Sequence, residues 1–541
     1  MVMMQGIKEK IIVITRKAIE EIAPESVIRE LKIEKPPKAE LGDYAVFVGK
    51  EAEAVSQKLS ALSKEEIEKI EAKAGFVNFF LSPDFVQSEL ERMSDATRYT
   101  LHESLKGQTV MVEYTDPNPF KTFHIGHLMS NAIGEAIARL HEAVGAKVLR
   151  VNWQGDIGLH IAKAVWGIQQ GFASSGEAYV MGNKVYEEDP QAKEDITALN
   201  KKLYDKSDPK INDLYQKGRQ ESLDYFEKQY ERLGTKFVHY FFESEMGPNG
   251  LEVVKAHPDI FVEGDPSTDS GQAPIVFKGE QYGLHTRVFI NSQGLPTYEA
   301  KELGLNQEKF KLYHPDLSLI VTGNEIVGYF NVLMKAMELV MPDVAAKTRH
   351  LPHGMLRLPT GKMSSRTGDV ITADEFIEKV KEKVGSEEVA IGAIKYSILK
   401  QGIGHDIVFD FEKSLSVQGD SGVYLQYTYA RLVSILAKAG DSHKSSAVSH
   451  KLDHGTELTL IKHLMEFPDA VAESARDFAP NHLALYLYEL ANKANAFYEQ
   501  VRILDDENEQ RKQARLVLVQ TTADILKRGL EILGIKAPEK I

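Results

Sequence analysis

The stretch of sequence that decides the fold is residues 110–152, VMVEYTDPNPFKTFHIGHLMSNAIGEAIARLHEAVGAKVLRVN. Its first residues form an apolar run typical of a strand, and a pair of prolines then breaks the run. From Ile125 the apolar residues recur with the i, i+3, i+4, i+7 spacing of a helix that is buried along one face. A second apolar run, residues 148–151, follows Gly145. These residues therefore predict a strand–helix–strand unit.

Two histidines, His124 and His127, lie where the first strand has ended and the helix begins. In open α/β sheets ligands bind at the carboxyl ends of the strands, and the free N–H groups of a helix N-terminus attract anions. Histidines in this position can donate hydrogen bonds to phosphate. A pair at this spacing could also ligate a metal, but the chain has no cysteine and no acidic third ligand at a fixed spacing. We expect an anion site and no metal site.

Composition limits the class of protein. A chain of 541 residues is too long for one core, and its length predicts about three to four domains. The formal net charge of −14 means that a nucleic-acid partner would have to meet local basic surface. No apolar run approaches the length of about 20 residues that a membrane span requires. We expect a cytoplasmic protein with no membrane partner.

The regions that flank residues 110–152 differ in pattern. Residues 1–105 predict a small α+β domain with helices at 8–22 and 50–62 and a strand at 75–81. Residues 411–541 predict an all-α bundle, with helical patterns at 423–439, 457–477, 482–499 and 509–533. The chain therefore has a mixed N-terminal domain, a central α/β domain and a helical C-terminal domain.

The central region, residues 106–410, alternates strand and helix patterns. Further strands are predicted at 286–290 and 317–321, which favours a doubly wound parallel sheet of the Rossmann-like α/β class. Residues 172–283 are charged and helical in pattern, and we interpret them as an insertion. Asp156, in the turn after the second strand, could either cap the following helix or contact a ligand directly.

A second polar loop, residues 354–369, contains Lys362-Met363-Ser364-Ser365 among glycines. Backbone-permissive and cationic residues suit contact with phosphate. The loop is not a P-loop, because Met363 stands where Ser or Thr must follow the lysine. Taken alone, a solvated basic turn would explain it equally well.

Together the two motifs, His124-Ile125-Gly126-His127 and Lys362-Met363-Ser364-Ser365, resemble those of class I aminoacyl-tRNA synthetases. Within that class the chain resembles the arginyl-tRNA synthetase family, at residues 42–44, 75–78, 113–127, 155–158, 298–302, 424–431 and 533–539. The resemblance implies that residues 1–105 contact tRNA, that 106–410 are catalytic, and that 411–541 bind the anticodon.

The implied activity is ATP-dependent activation of L-arginine to arginyl-adenylate, followed by transfer to the 3′-terminal adenosine of tRNA(Arg). ATP and Mg²⁺ are the implied cofactors, and we expect a monomer. The family commonly requires tRNA for activation. The implied catalytic residues are Lys121, His124, His127 and Lys362, and the implied ATP-binding residues are Gly126, Asp156, Gly323, Met363, Ser364 and Ser365. The implied arginine-binding residues are Glu113, Asn118, Tyr298 and Glu302, and the implied tRNA-binding residues are Asn78, Tyr424, Gln426 and Arg431.

The chain departs from the family pattern at four positions. Ser365 stands where a second lysine is frequent, and we hypothesise that Lys121, just before the histidine motif, supplies that charge. Glu302 replaces a more common aspartate, while Ile326 and His160 stand where glutamine is common. Two alternatives stay open at this point, a non-catalytic tRNA-binding paralogue and a class I synthetase for another amino acid. ATP–pyrophosphate exchange with each amino acid separates them.

Overall fold

The computed structural model describes residues 7–23, 31–60, 65–95, 99–172, 174–265, 273–357, 371–440 and 450–541. Lys362, Met363, Ser364 and Ser365 lie outside the described residues. The chain divides into two compact units, one formed by residues 1–100, 431–467 and 492–525 and the other by residues 101–430, 468–491 and 526–541. Among the described helices, none is both long and apolar enough to cross a membrane.

The N-terminal part of the chain forms an antiparallel sheet with helices. Its elements are α1 (Ile7–Ile22), β1 (Ile33–Glu34), β2 (Tyr44–Phe47), α2 (Ala52–Ser60), β3 (Ile67–Lys73), β4 (Phe76–Leu81) and α3 (Pro83–Ser94). The four strands lie in the order β1-β2-β4-β3. Helix α3 has a capped start, because the Phe85 N–H donates to Ser82 Oγ at 3.1 Å and Pro83 occupies the first turn. The helices and the strand predicted here are present.

The predicted strand–helix–strand unit is confirmed. The elements that follow are β5 (Thr109–Glu113), α4 (Ile125–Ala143), β6 (Lys147–Gln154), α5 (Leu159–Gln169), α6 (Ser175–Glu188), α7 (Pro190–Asp205), α8 (Pro209–Leu233), β7 (His239–Phe242) and α9 (Glu243–Ala256). Strands β5 and β6 pair in parallel, with Val110 opposite Val148. Helix α4 crosses the sheet closely because Gly134 lacks a Cβ, which would lie 2.2 Å from Cγ of Tyr114.

The parallel sheet is completed by strands from further along the chain. These elements are β8 (Phe261–Glu263), β9 (Ile275–Phe277), β10 (Arg287–Ile290), α10 (Tyr298–Tyr313), β11 (Leu317–Gly323), α11 (Val327–Val340), α12 (Pro342–Ala346) and β12 (Thr348–His353). The sheet has five strands in the order β12-β11-β5-β6-β7, and all of its pairings are parallel. The α/β class is confirmed. Its first strand, β5, is central, so both neighbouring strand ends converge on the loop that follows β5.

Two details of the predicted sheet are wrong. Residues 286–290 do form a strand, but β10 belongs to a separate antiparallel sheet with the order β10-β9-β8. The connection from β9, residues 278–286, is shorter than the dozen or so residues that a parallel crossover needs. Residues 172–283 are not purely helical either, because β7 is an edge strand of the parallel sheet. Only four residues long, β7 is too short to give a periodic signal.

The remaining elements are β13 (Leu356–Arg357), α13 (Ala373–Val384), α14 (Glu387–Leu399), β14 (Ile407–Val408), α15 (Phe411–Ser414), α16 (Gly422–Ala439), α17 (Gly455–Met465), α18 (Phe467–Arg476), α19 (Pro480–Gln500) and α20 (Glu509–Ile532). From Phe411 onward, the regular elements among the described residues are all helices. The predicted helical character of this region is confirmed. Its sequence carries the helical period clearly because one face of each helix is buried.

Candidate active site

The loop between β5 and α4 is held in a strained conformation. Thr115, Asp116 and Phe120 have φ angles of 80°, 46° and 66°. Such values are uncommon for residues other than glycine, and they persist only where surrounding contacts impose them. The Thr115 N–H donates to Ser130 Oγ at 2.9 Å, and Asn131 Nδ2 donates to Thr115 Oγ1 at 3.1 Å. Helix α4 therefore imposes this conformation on the loop.

The same loop is tied to the end of β6. The Trp153 N–H donates to Asp116 Oδ1 at 2.8 Å, and the Gly155 N–H donates to Asn118 Oδ1 at 3.1 Å. A Cβ at Gly155 would lie 2.3 Å from Asn118 Oδ1, so this position requires glycine. Asn118, a predicted arginine-binding residue, is thus fixed between two adjacent strand ends.

The two histidines form the start of α4. His124 is the N-cap, and its Nδ1 accepts from the Gly126 N–H at 3.1 Å. The His124 N–H in turn donates to His127 Nδ1 at 3.2 Å. The imidazole rings stack with centroids 3.7 Å apart. A Cβ at Gly126 would lie 2.9 Å from Cε1 of His124, so the glycine makes room for the folded ring.

Both histidines are neutral at physiological pH. Burial lowers the pKa of His124 to about 4, and the charge of Lys121 acts in the same direction. Burial also lowers the pKa of His127 well below its usual value. Because each Nδ1 accepts a backbone N–H, the proton of each neutral ring is on Nε2. The pair therefore offers two Nε2–H donors without carrying charge.

Lys121 lies beside the histidines. Burial lowers its pKa, while the charge of Glu243 raises it. Its ammonium is 4.9 Å from the ring centroid of Tyr179, on α6. Its charge also lowers the pKa of His160, which burial brings to about 3. Neutral His160 has its Nε2 2.8 Å from the Gly155 carbonyl oxygen, so this ring supports the Gly155 turn.

A group of buried carboxylates lies at the same edge of the sheet. Glu113, at the end of β5, forms an ion pair with Lys309 Nζ at 2.5 Å. Glu302 is 3% exposed, and burial together with the charge of Glu113 raises its pKa to about 8. Burial and Glu113 also raise the pKa of Asp116 well above its usual value. Glu302 and Asp116 are desolvated, so a cationic ligand would favour their ionised forms.

Glu243 and Lys301 complete this group. Lys301 Nζ lies 2.6 Å from Glu243 Oε2, and both side chains are buried. Burial raises the pKa of Glu243, whereas Lys301 and the hydroxyl of Tyr298 act in the opposite direction. The sequence did not reveal Glu243 or Lys309 as site residues. Lys309 follows Glu302 by seven positions on α10, a spacing that places both on one helix face and could have indicated it.

Asp156 does not cap α5, although the sequence allowed for that role. The N-cap of α5 is Gly158, which makes no side-chain cap. Asp156 is completely buried and accepts from the Ser244 N–H at 2.9 Å, from Arg219 Nε at 2.8 Å and from the Tyr215 hydroxyl at 3.1 Å. Capping is therefore wrong, because the partners come from α8 and α9. Its oxygens are bonded within the protein and hold this turn in place, and direct contact between Asp156 and ATP stays a prediction.

The remaining predicted ligand positions lie at the end of a strand, at the start of a helix or outside the described residues. Gly323 is the last residue of β11, and a Cβ there would lie 2.1 Å from Glu325 Oε2. Tyr298 begins α10 and is partly exposed. Within the described parts of the chain, no group of three or more histidine, cysteine or carboxylate side chains could hold a metal ion.

Two predicted tRNA contacts are in the first unit. Asn78 is buried in the sheet, where its Nδ2 donates to the Glu71 carbonyl oxygen at 3.3 Å. Arg431 Nη1 donates to Asn495 Oδ1 at 2.8 Å, and its guanidinium lies over the ring of Tyr498 at 5.5 Å. Asn78 therefore supports the sheet rather than presenting its amide at the surface.

The other two are in the second unit. Gln426 is completely buried, and its Nε2 donates to the Lys536 carbonyl oxygen at 2.9 Å. Tyr424 is partly buried, with its ring 6.2 Å from that of Tyr488. The structure does not bring Gln426 to the surface, since this amide fixes the C-terminal segment. Tyr424 and Gln426 lie two positions apart in the predicted helix. The helical pattern did not indicate which of the two side chains would be buried.

Comparison with known families decides the assignment. Residues 91–411 match the family model for the catalytic domain of class I (R) tRNA synthetases. Residues 9–81 match the arginyl-tRNA synthetase N-terminal domain, and residues 425–541 match the DALR anticodon binding domain. The chain belongs to the arginyl-tRNA synthetase family. The histidine turn and the carboxylates described above lie within residues 91–411 of this chain.

Relatives across the whole chain agree with this assignment. The chain is 30% identical to an arginine–tRNA ligase of Clostridium perfringens, over 97% of this chain and 100% of that protein. It is 28% identical to the corresponding ligase of Clostridium acetobutylicum, over 94% and 96%. The fold is similar to solved arginyl-tRNA synthetases from Thermus thermophilus, at 24% identity, TM-score 0.79 and coverage of 99% and 100%, and Plasmodium falciparum, at 22%, 0.81, and 100% of each chain.

Proposed function

We propose that this chain is an arginine–tRNA ligase that forms arginyl-adenylate from L-arginine and ATP and transfers the arginyl group to tRNA(Arg). One observation carries the proposal beyond family membership. Neutral histidine donors and desolvated carboxylates lie at the same edge of one parallel sheet, on either side of the β5 loop. The first set suits phosphate and the second suits a guanidinium.

In the first step, an oxygen of the arginine carboxylate attacks the α-phosphorus of ATP, and pyrophosphate leaves with the electrons of the broken P–O bond. The nucleophile is already an anion, so no strong base is required. Catalysis rests on positioning and on stabilising charge at the phosphate oxygens. His124 and His127 donate from Nε2 to these oxygens. Because the rings are neutral, they need not lose a proton to the pyrophosphate as it departs.

Lys121 supplies a positive charge beside the histidine turn, as the substitution of Ser365 for a family lysine suggests. Its position next to His124 supports this role, since its charge already acts on that ring. Lys362, with Met363, Ser364 and Ser365, contributes the second phosphate-binding segment. ATP enters as its Mg²⁺ complex, in which the ion is held mainly by phosphates and water.

Arginine is recognised through its charge. Glu302 and Tyr298 on α10 contact the guanidinium, while Asn118 and Glu113 define the other end of the pocket. The guanidinium remains a cation at all physiological pH values, so its arrival favours the ionised form of Glu302. The Glu113–Lys309 ion pair makes Glu113 less available than the sequence suggests. Glu243, fixed by Lys301, is a further acceptor, and it could replace the amide contact that is missing where Ile326 stands.

In the second step, a hydroxyl of the terminal adenosine attacks the carbonyl carbon of the adenylate. The bond from that carbon to the phosphate oxygen breaks, AMP leaves with its electrons, and the hydroxyl proton is released to water. Residues 1–105 and 411–541 hold the tRNA, with residues 106–410 catalytic. Arg431 and Tyr424 stay candidates for RNA contact, whereas Asn78 and Gln426 act by supporting their surfaces. We also propose that the enzyme is a cytoplasmic monomer, which sedimentation and cell fractionation would test.

The deciding experiment is ATP–pyrophosphate exchange with each amino acid, with and without tRNA(Arg). We expect exchange with arginine, and arginylation of tRNA(Arg) when the two are combined. Exchange that depends on another amino acid would contradict the proposal. Binding of tRNA without exchange under any of these conditions would favour a non-catalytic paralogue. A negative result without tRNA alone would not, because tRNA-dependent activation is common in the family.

A further inference from the structure

Helix α8 contacts the candidate site at successive points along its length. Near its start, Tyr215 and Arg219 bind Asp156, as described above. One turn further, Ser222 Oγ accepts from the Phe120 N–H at 2.9 Å, and Gly218 gives the Phe120 ring room to approach. The helix therefore touches two segments that carry site residues before its C-terminal half is reached.

Three side chains in the C-terminal half of α8 contact the same carboxylate, that of Asp374 in the first turn of α13. The Tyr225 hydroxyl donates to Asp374 Oδ2 at 2.6 Å. Gln229 Nε2 donates to Oδ1 at 3.1 Å, and Arg232 Nη1 donates to the same oxygen at 2.8 Å. Three side chains of one helix thus donate to a single acceptor group, which has no donor of its own when ionised.

Helix α13 meets the histidine turn directly in front of Asp374. The Ala373 N–H donates to the Phe123 carbonyl oxygen at 2.9 Å, and Thr372 pairs with His124 as an isolated antiparallel bridge. Thr372 also caps α13 in a reciprocal capping box with Glu375, so the bridge is made by ordered backbone. A displacement of the first turn of α13 would therefore move the backbone on which His124 stands.

Helix α8 supports the same turn from a second direction. The Phe123 ring lies 6.2 Å from Phe226 and 6.2 Å from Tyr230, both on α8, and 5.2 Å from His127. Phe123 is completely buried. The histidine turn is thus held between α8 on its side-chain face and α13 on its backbone, and Asp374 joins those two supports.

We propose that Asp374, held by Tyr225, Gln229 and Arg232 of α8, is a positioning residue that fixes the His124–His127 pair for phosphate binding. The inference rests on the proposed function and assigns a role to the helical segment that precedes β7. Asp374 acts through the backbone of the histidine turn. Its loss should therefore affect the reaction at the ATP phosphates and leave the pocket for the arginine side chain unchanged. Nucleophile and phosphate must be aligned closely, and a misplacement of about 1 Å can cost about 100-fold in rate.

Glu378 provides a matched control, because it pairs with the same Arg232 that binds Asp374. The same guanidinium also pairs with Glu378, Nη2 to Oε1 at 2.7 Å, and with Glu387, Nε to Oε1 at 2.8 Å. Glu378 is on α13 as well, one turn beyond Asp374, and it makes no contact with Thr372 among the hydrogen bonds of the described residues. Loss of Glu378 therefore removes an ion pair of the same arginine without releasing the first turn of α13.

The test compares Asp374→Asn, Tyr225→Phe and Glu378→Gln with the unaltered chain in arginine-dependent exchange with tRNA(Arg) present. For Asp374→Asn we expect kcat to fall about tenfold, with the KM for arginine unchanged within about twofold. Tyr225→Phe removes one donor and is expected to give a smaller loss of the same kind. Glu378→Gln is expected to remain within about twofold of the unaltered chain.

Thermal unfolding of each variant, and assay well below its midpoint, separate positioning from general destabilisation. The inference is overturned if Asp374→Asn keeps its kcat, if its KM for arginine rises as much as kcat falls, or if Glu378→Gln loses as much as Asp374→Asn. Absence of exchange in the unaltered chain would instead count against the proposed function. An unfolded Asp374→Asn would leave Tyr225→Phe, a smaller change, to decide by the same criteria.

Discussion

The histidine turn and the carboxylate group lie at one sheet edge, yet burial has opposite effects on their charge. Burial lowers the pKa of His124 to about 4, and no carboxylate opposes that shift among its principal interactions. Burial raises the pKa of Glu302 to about 8. The Glu113–Lys309 ion pair lies nearby, and the charge of Lys309 opposes this rise. The histidine turn therefore offers uncharged hydrogen-bond donors, and the carboxylate group holds acidic side chains whose ionisation a bound cation would favour.

This difference in charge state explains how one site can bind two oppositely charged substrates. Neutral donors suit phosphate through hydrogen bonds, and among the described residues the charge of Lys121 acts on the same turn. Carboxyl groups with raised pKa values avoid mutual repulsion until the guanidinium arrives. Substitutions in each region should therefore affect different substrates, and the following predictions test whether they do.

The largest expected effect is on the histidine side. His124→Ala removes an Nε2–H donor and should lower kcat of arginine-dependent exchange about 100- to 1,000-fold, with little change in the KM for arginine. The measurement is exchange kinetics with each substrate varied. His482→Ala is the control, since this half-exposed histidine lies only 4.0 Å from Asp477 and is remote from α4 in sequence. A large rise in the KM for arginine would break the division of roles.

Glu302→Gln tests the other region. It removes the carboxylate that pairs with the guanidinium. It should therefore reduce kcat/KM for arginine about 100-fold, chiefly through a higher KM. Measured at saturating arginine, the KM for ATP should stay near that of the unaltered chain. Glu308→Gln on the same helix is the control, because Glu308 pairs with the exposed Lys311 at 3.1 Å. Equal losses in both variants would remove Glu302 from the pocket.

Lys121→Ala should have the next largest effect, about 20-fold on kcat of adenylate formation, because a charge-assisted contact to phosphate is lost. Lys193→Ala is a matched control, since Lys193 also lies over a tyrosine ring, that of Tyr186 at 5.5 Å, but on α7. Rapid quench of adenylate formation is the measurement. Unchanged adenylate formation in Lys121→Ala would exclude the hypothesis that it replaces the missing loop lysine.

The smallest effect is the pH dependence of arginine use. In the enzyme without arginine the pKa of Glu302 is about 8, and the ionised form binds the guanidinium. The ionised fraction, and with it kcat/KM for arginine, should therefore fall about fivefold from pH 8 to pH 7. The histidines should add no limb in this range because the pKa of His124 is about 4 and that of His127 is well below its usual value. In Glu302→Gln this limb should disappear. A limb that persists there belongs to another group.

The same raised pKa has a consequence for stability with a defined sign. Between the usual pKa of a glutamate and about 8, folded Glu302 retains a proton that the unfolded chain releases. Its contribution to stability is therefore present at low pH and declines as pH rises through this window. Thermal midpoints of the unaltered chain should fall more steeply from pH 6 to pH 8.5 than those of Glu302→Gln.

Sequence predicted the parts of the fold that are set by local periodicity. The unit β5-α4-β6 and the C-terminal helices were found because each carries a clear apolar period over many residues. Strand β7 was missed because its four residues carry no such period. The sheet to which β10 belongs was wrongly predicted, because pairing with β9 depends on partners and not on the strand's own composition.

The site divides in the same way. His124 and His127 could be identified because their spacing and the helix start are both local. The cap considered for Asp156 was wrong because its partners Arg219 and Ser244 are distant in sequence. The pairing of Glu113 with Lys309 is equally non-local. The spacing of Glu302 and Lys309 on one helix could have indicated Lys309 as a site residue, but not its partner. Burial of Gln426 depends on the Lys536 carbonyl oxygen at the far end of the chain.

The environment of Lys121 has a consequence for covalent chemistry. An amine with a lowered pKa carries a larger free-base fraction at neutral pH, and the free base is the form that attacks electrophiles. Lys301 has a raised pKa and is buried, so it should react slowly with the same reagents. Amine-directed warheads built on an adenosine scaffold would therefore find their anchor at Lys121, and ATP would protect it from labelling.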